Sequence, residues 1–383
     1  MSEAYETITR HFEEGRARSR PAVAATDIPI SYEAFTPEWL TAVLCGGVPG
    51  ARVEAFDFDA RDDGTTNRRR IFLTYNEAGA AAGLPASVFS KATIDLNNRL
   101  TLGACGSAHA EATFYAKVRP RLAIEAPVAY HARFDPESFA YIVLLRDMAG
   151  EVTFCDENAP MGRARAESQI ALLAELHGTF WRHADLGGPA LPLVRWTDWW
   201  ANLQTMDYGI FCDKGVEAAE AVMPPRLFAR RGEIWPATMA SVERHHALPH
   251  TVLHADVHLK NWYVATDGAM GLSDWQNCCI GHWGRDLAYA MTTALAPDDR
   301  RAWERDLVAL YIDRLAAQGV PAIPFDEAFT IYRQQMLSAL AYWTSTLCPP
   351  DDWADMQPSH TSTAFIARIA TAIDDCDSLD SFA

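Results

Sequence analysis

Apolar and polar positions change rhythm part-way along the chain. Between Val53 and Leu145 they alternate in short runs. Val53, Ala55 and Phe58 lead into the polar turn Ala60–Asn67, which is followed by Arg70, Phe72, Thr74 and Tyr75. Ala86–Ala92 and Phe139–Leu145 repeat the pattern, with Asp135-Pro136-Glu137-Ser138 as a turn before the latter. Such alternation broken by turn residues predicts antiparallel strands. After Gly150 the spacing becomes helical, with Ile170, Leu173, Leu176, His177 and Phe180 on one face of residues 164–183. Residues 298–318, 325–343 and 360–376 read as further amphipathic helices, separated by Pro321–Pro324 and Pro349-Pro350. Ahead of the strands, residues 1–30 read as a helical arm and a proline-bearing linker. Thr36 is an N-cap with Pro37 in the first helical position, and that helix ends near Gly46-Gly47. Asn97-Asn98-Arg99 reads as a loop tip.

One stretch interrupts the helical half. From Leu253 to Trp275, strand-forming residues at Thr251–Leu253, Trp262–Val264 and Gly271-Leu272 surround the polar residues His254, Asp256, His258, Asn261 and Asp274. The turn Thr266-Asp267-Gly268 predicts a hairpin that gathers Asp256, Asn261 and Asp274 at one end of a sheet. Two carboxylates and an amide make an oxygen-rich site suited to Mg2+ held together with substrate phosphates. A carboxylate kept off the metal can then hold and deprotonate an attacking hydroxyl, and phosphoryl transfer needs little more near the reacting atoms. On this reading Asp256 is the base or hydroxyl anchor, and Asn261 and Asp274 are the metal ligands. His258 stands beside Asp256 among the catalytic candidates, although both it and His254 are expected to shape the loop more than to react. The same residues also spell HxDxH, a spacing used by metal-dependent hydrolases with imidazole ligands.

Composition narrows the field. A chain of 383 residues, 49% apolar and 22% charged, is long enough for two well-packed domains. A net charge of −17 argues against a nucleic-acid partner and neither requires nor forbids a cationic substrate. The 8 cysteines are scattered without CxxC pairs and read as reduced thiols. The acidic, polar start and the lack of a bilayer-length apolar run predict a cytoplasmic protein without a membrane span. Oligomeric state is left open.

The pattern His254-x-Asp256-x-His258-x-x-Asn261, followed by Asp274, resembles the catalytic loop and metal-binding aspartate of the aminoglycoside phosphotransferase and choline kinase superfamily. The nearest branch is the ecdysteroid-kinase-like one. Ala255 stands where the family usually has Gly. The resemblance implies an α+β, two-lobed protein-kinase-like fold with a small β-rich N-lobe and a larger helical C-lobe. It places the arm and nucleotide-binding lobe in residues 1–145 and the catalytic and acceptor-binding lobe in 146–383. It implies ATP and Mg2+ as cofactors and a small-molecule alcohol as acceptor.

Other segments then take family roles. Gly64, Thr65, Thr66 and Asn67 match the loop over the phosphates. Lys91, in the apolar run Ala86–Ala92, matches the phosphate-contacting lysine, and Glu111 matches its helical partner. Val143–Met148, including Leu145 and Asp147, resembles the hinge whose main chain meets the adenine, with Arg146 where relatives often have Glu. Asp286 resembles the aspartate that caps a helix and braces the catalytic loop. Trp181, Trp196, Trp199, Trp200, Tyr208, Phe211 and Trp235 fall where the family binds its acceptor. They read as helical core first, and any that line the cleft favour a neutral, apolar alcohol. His177 reads as a packed helical histidine. A nucleotide-binding scaffold without transfer activity and an HxDxH hydrolase are the other two classes of function.

Overall fold

The computed structural model describes residues 3–18, 20–350 and 356–382. The chain divides into two compact units. The first comprises Met1–Arg121, Ala126–Gly150 and Trp275–Asn277, and the second Leu122–Glu125, Glu151–Asp274 and Cys278–Ala383.

The first unit runs α1 (Glu3–Ala17), α2 (Pro37–Leu44), β1 (Val53–Phe58), β2 (Asn67–Tyr75), α3 (Glu77–Ala81), β3 (Ser87–Ala92), α4 (Leu96–Ala104), α5 (Ser107–Thr113), β4 (Ala129–Phe134) and β5 (Tyr141–Arg146). Helix α2 starts as the sequence requires: Oγ1 of Thr36 accepts from the Trp39 N–H at 3.0 Å, and Pro37 occupies the first turn, where its missing N–H costs nothing. The strands form one antiparallel sheet in the order β1-β2-β3-β5-β4. Alternating Ile71, Val88, Ile142 and Leu144 pack with Trp39 and Leu40 of α2 in its core. Register sets Lys91 opposite Arg68 on one side and Val143 on the other, on the innermost strand.

Asn97-Asn98-Arg99 lies within α4, not at a loop tip. Packing overrides the weak helix preference of asparagine here. Arg99 is 1% exposed, donates to the Thr93 carbonyl at 3.0 Å and places its guanidinium 4.9 Å from the ring of Phe12 in α1. Past α5 the helix widens into a π-turn at Phe114–Val118. Its first ring stacks on Trp275, with centroids 3.6 Å apart and planes 5° from parallel.

The second unit runs β6 (Thr153–Phe154), α6 (Arg163–Thr179), α7 (Trp196–Gln204), α8 (Tyr208–Ala218), α9 (Pro225–Ala229), α10 (Ile234–Glu243), β7 (Thr251–Leu253), β8 (Trp262–Val264), β9 (Met270–Leu272), β10 (Cys279–Gly281), α11 (Gly284–Ala294), α12 (Pro297–Ala317), α13 (Phe325–Leu347) and α14 (Ser359–Asp375). The expected hairpin is β8–β9, extended on one side by β6, while β7 pairs with β10. Every residue of α11 is buried, and α13 packs on α8, α10, α11 and α14. Gly215 lets α8 approach α13 closely, since a Cβ there would lie 2.0 Å from the Thr344 carbonyl oxygen. Trp196, Trp200 and Tyr208 are core, packed with Leu253, Ala255, Cys279 and Ala341. Trp199, Trp235 and Tyr342 border that cluster and stay partly exposed. All 8 cysteines are free. Among the described residues no helix is long and apolar enough to cross a membrane.

Candidate active site

In the first unit, β3 carries Lys91 into the interior at 7% exposure, where a cation needs a partner. Helix α5 supplies one: Nζ of Lys91 donates to Oε1 of Glu111 at 2.7 Å. The other carboxylate oxygen accepts from the hydroxyl of Tyr141, the first residue of β5. Glu111 is fully buried, so these bonds fix where the ammonium stands. The tyrosine is invisible to spacing rules, because β5 reaches α5 only through the folded sheet.

The loop before β2 is held from within. Asn67 accepts through Oδ1 from the N–H groups of Ile94 and Asp95 at 2.8 and 3.1 Å, and its amide donates to Asp63 and Asp95. The Gly64 N–H donates to the Thr66 carbonyl, and the Gly64 carbonyl accepts from Asn98. Thr65 is 3.3 Å from Gln276 through its hydroxyl, and Thr66 is buried. The Asn67 side chain and the Gly64 N–H therefore shape the loop instead of facing a phosphate. Asp147 is similar: its carboxylate accepts from Arg70 and Ser87, both at 2.6 Å, and from the Ala149 N–H. The hydrogen bonds prevail over burial and hold its pKa below the usual carboxylate value. Leu145 is buried and paired with both β3 and β4, and the exposed Arg146 donates its N–H to the Val128 carbonyl at 2.8 Å.

In the second unit, β7 delivers the chain into the loop His254–His258. Ala255 there is left-handed, with φ 65°, the conformation in which glycine is free and alanine is strained. This is the physical meaning of the family's glycine at that position. The strained turn is held by Asp286, which accepts from the N–H groups of His254 at 2.7 Å and Ala255 at 2.9 Å and from Nε2 of His177 at 3.2 Å. Burial opposes the charge on Asp286, yet these donors win and keep its pKa below the usual value. Asp286 sits inside α11, whose N-cap is Trp283, so it braces the loop but caps no helix. His177, as expected, is a packed histidine shared between Asp286 and the hydroxyl of Tyr311.

The turn aims Asp256, whose carboxylate stays partly exposed. Oδ1 accepts from the Tyr289 hydroxyl at 3.2 Å, and Oδ2 lies 3.4 Å from the Asn261 amide nitrogen. That nitrogen donates to the Asp256 carbonyl at 2.7 Å, which leaves Oδ1 of Asn261 as the atom to meet a cation. Ser273 closes back on the Asn261 carbonyl through its N–H and its hydroxyl, at 2.8 and 2.9 Å. Asp274 follows, again left-handed, with φ 60°. The loop carries an amide oxygen at Asn261 and the hairpin ends in the carboxylate of Asp274, and oxygen donors of this kind suit Mg2+.

The imidazoles are used otherwise. His254 accepts from the Asp256 N–H through Nδ1 at 3.1 Å and meets the Ser273 carbonyl through Nε2 at 2.9 Å. With both nitrogens bonded to main chain it is not arranged as a metal ligand, which removes the basis of the HxDxH hydrolase. His258 is packed against Tyr289, Trp343 and Phe365, with Nε2 3.6 Å from Asp256. Burial lowers its pKa despite the neighbouring carboxylate, so it stays neutral and serves as a wall behind Asp256.

The profile of the phosphotransferase enzyme family matches residues 100–324, more than half of the chain. The chain belongs to that family. It is therefore a small-molecule kinase, as the catalytic-loop pattern implied. No curated protein sequence matches it. Among similar solved structures is choline kinase from Cryptosporidium parvum Iowa II, with 9% identity, 85% of this chain and 90% of that one covered, and a TM-score of 0.51. An aminoglycoside phosphotransferase from Ralstonia eutropha JMP134 aligns at 13% identity over 88% of this chain and 96% of its own, with a TM-score of 0.48. Plasmodium vivax ethanolamine kinase aligns at 11% identity over 85% and 82%, with a TM-score of 0.47. The first of these carries the fold, α+β and protein-kinase-like, with a β-rich N-terminal unit and a helical C-terminal one. Within this phosphotransferase, Tyr141 beside Glu111 in the first unit, and Arg285 and Tyr289 beside the Asp256 loop in the second, are the neighbours that the sequence alone did not disclose.

Proposed function

We propose that the protein transfers the γ-phosphoryl group of ATP, in the presence of Mg2+, to a hydroxyl of a small, neutral or apolar molecule. Asp256 holds the acceptor hydroxyl and takes its proton. Asn261 through Oδ1 and Asp274 through its carboxylate would hold Mg2+, which neutralises charge on the phosphates when bound. Lys91, positioned by Glu111 and Tyr141, fixes the α- and β-phosphates. The main chain around Leu145–Asp147 meets the adenine, and the Gly64–Asn67 loop covers the phosphates. His258 keeps Asp256 in place without reacting.

The observation that carries this reading is the geometry at Asp256. A left-handed turn braced by Asp286 presents a carboxylate whose two oxygens are oriented by Tyr289 and Asn261. The buried Lys91–Glu111 pair supports it independently, since such a pair costs more to desolvate than a hydrophobic substitute would. An apolar part of the acceptor is supported by Trp199, Trp235 and Tyr342, the partly exposed aromatic border of the core cluster that contains Ala255. The narrower likeness to the ecdysteroid-kinase-like branch fits the same kind of acceptor.

The test is ADP release from Mg-ATP across a panel of alcohols, sugars, sterols, choline-like amines and antibiotics. Acceptor-dependent release that stops on removal of Mg2+ is expected. Folded protein that binds ATP and releases no ADP with any acceptor would instead favour a scaffold.

A further inference from the structure

Arg285, the second residue of α11, is 0% exposed, and among the described residues its guanidinium meets only neutral partners. Nη2 donates to the Ala255 carbonyl at 3.0 Å and Nη1 to the Ser338 hydroxyl at 3.2 Å. The rings of Tyr289, Tyr342 and Trp196 lie 4.2, 4.6 and 4.9 Å from its central carbon. A buried cation without a carboxylate in ion-pair contact is costly, and here two neutral acceptors and three ring faces offset the cost. Aromatic rings set around one point form the kind of box that binds organic ammonium ions. In this protein the chain's own guanidinium occupies the box.

The box adjoins the reacting group. The Tyr289 hydroxyl donates to Asp256, and Arg285 itself holds the carbonyl of the strained residue just before Asp256. Tyr342 is partly exposed, with Trp200 stacked on it at 6.0 Å and 19°. Tyr289 thus links the two groups, with its hydroxyl on Asp256 and its ring over the guanidinium.

We propose that Arg285 selects the acceptor by charge. By filling the ring box beside Asp256, it excludes alcohols that carry a cation near the hydroxyl, so the accepted molecule is uncharged there. The proposal rests on the phosphotransferase reading of Asp256. Arg285 acts through Tyr289, Tyr342 and Ala255, as a positioning and selectivity residue.

The test compares choline with its uncharged carbon isostere, in which a tert-butyl group replaces trimethylammonium. Binding of each is followed by broadening of the probe's methyl NMR signal, in wild-type protein, Arg285→Lys and Arg285→Met. Wild type is expected to bind the isostere about tenfold more tightly than choline, the size of effect a like charge exerts across a partly screened interior. Arg285→Lys keeps the preference. Arg285→Met brings the two probes to within about threefold, because the emptied rings now attract the ammonium. If Arg285→Met does not fold, Arg285→Gln is read in the same way. Equal binding of both probes by wild type, binding of neither, or an unchanged ratio in a folded neutral variant overturns the proposal. A merely structural arginine would alter stability and leave the ratio alone. Because the ratio is read without turnover, it fails or holds separately from the role of Asp256 in transfer.

Discussion

Asp286→Asn is the substitution whose cost follows most directly from the geometry. The carboxylate accepts from the main chain at His254 and Ala255 and from His177, all in the interior. Asparagine keeps one oxygen. If that oxygen takes the position shared by His254 and His177, the new amide nitrogen faces the Ala255 N–H, donor against donor. One charge-assisted bond is lost and a buried N–H is left unpaired, at the point where Ala255 holds φ 65°. Such losses cost about 2–4 kcal/mol together. Removal of the buried charge returns little, because the fold already favours the ionised form. Scanning calorimetry should show a fall in Tm of about 4–15 °C for a unit of this size. Turnover should fall at least about tenfold as the turn before Asp256 relaxes, one decade for each 1.4 kcal/mol lost at the transition state. ATP affinity, measured by titration, should stay nearly constant. A stability change below about 0.5 kcal/mol, the level of an ordinary surface substitution, would refute the bracing argument.

Glu111→Gln leaves Lys91 charged and buried beside a weaker partner, and is expected to cost up to about 3–5 kcal/mol in denaturant unfolding and to raise the KM for ATP. Tyr141→Phe removes one bond to the same carboxylate and should cost about 1–2 kcal/mol. Ala255→Gly relieves strain but gives up a buried methyl, so its stability should stay within about 1 kcal/mol of wild type. Ala255→Val, β-branched at positive φ in a closed cluster, should lose about 3 kcal/mol or more by the same measurement. Burial lowers the pKa of His245 to about 4 and shifts His258 and His282 in the same direction. These rings are neutral in the fold and take up protons on unfolding, so stability is complete above about pH 6.5 and is lost as pH falls towards 4, by about 3 kcal/mol for His245 alone. A Tm that does not fall between about pH 7 and pH 5 would contradict that assignment.

Local chemistry was legible in the sequence wherever one stretch of chain suffices. Thr36 and Pro37 announce α2, the turn at Asp267-Gly268 announces β8–β9, and HxDxHxxN with Asp274 announces the family. Lys91 and Glu111 were found because a buried lysine demands a carboxylate and the resemblance supplied the order. What escaped depends on contacts between distant segments. Tyr141 completes Glu111 across the sheet, Tyr289 reaches Asp256 from α11, and Arg285 gathers rings from α7, α11 and α13. Asn97-Asn98-Arg99 resembles a loop tip locally, because what holds Arg99 in a helix is α1, far upstream. The side chains of Asn67 and Asp147, expected at the nucleotide, bond inward, a direction that no spacing reveals.

The role of Asp256 is tested most directly by Asp256→Ala, with transfer of label from γ-labelled ATP to the best acceptor measured beside ATP affinity. Loss of transfer with ATP affinity kept within about threefold is expected, because the proposed role has the carboxylate meet the acceptor hydroxyl and not the nucleotide. Transfer at the wild-type rate in the variant would contradict the account.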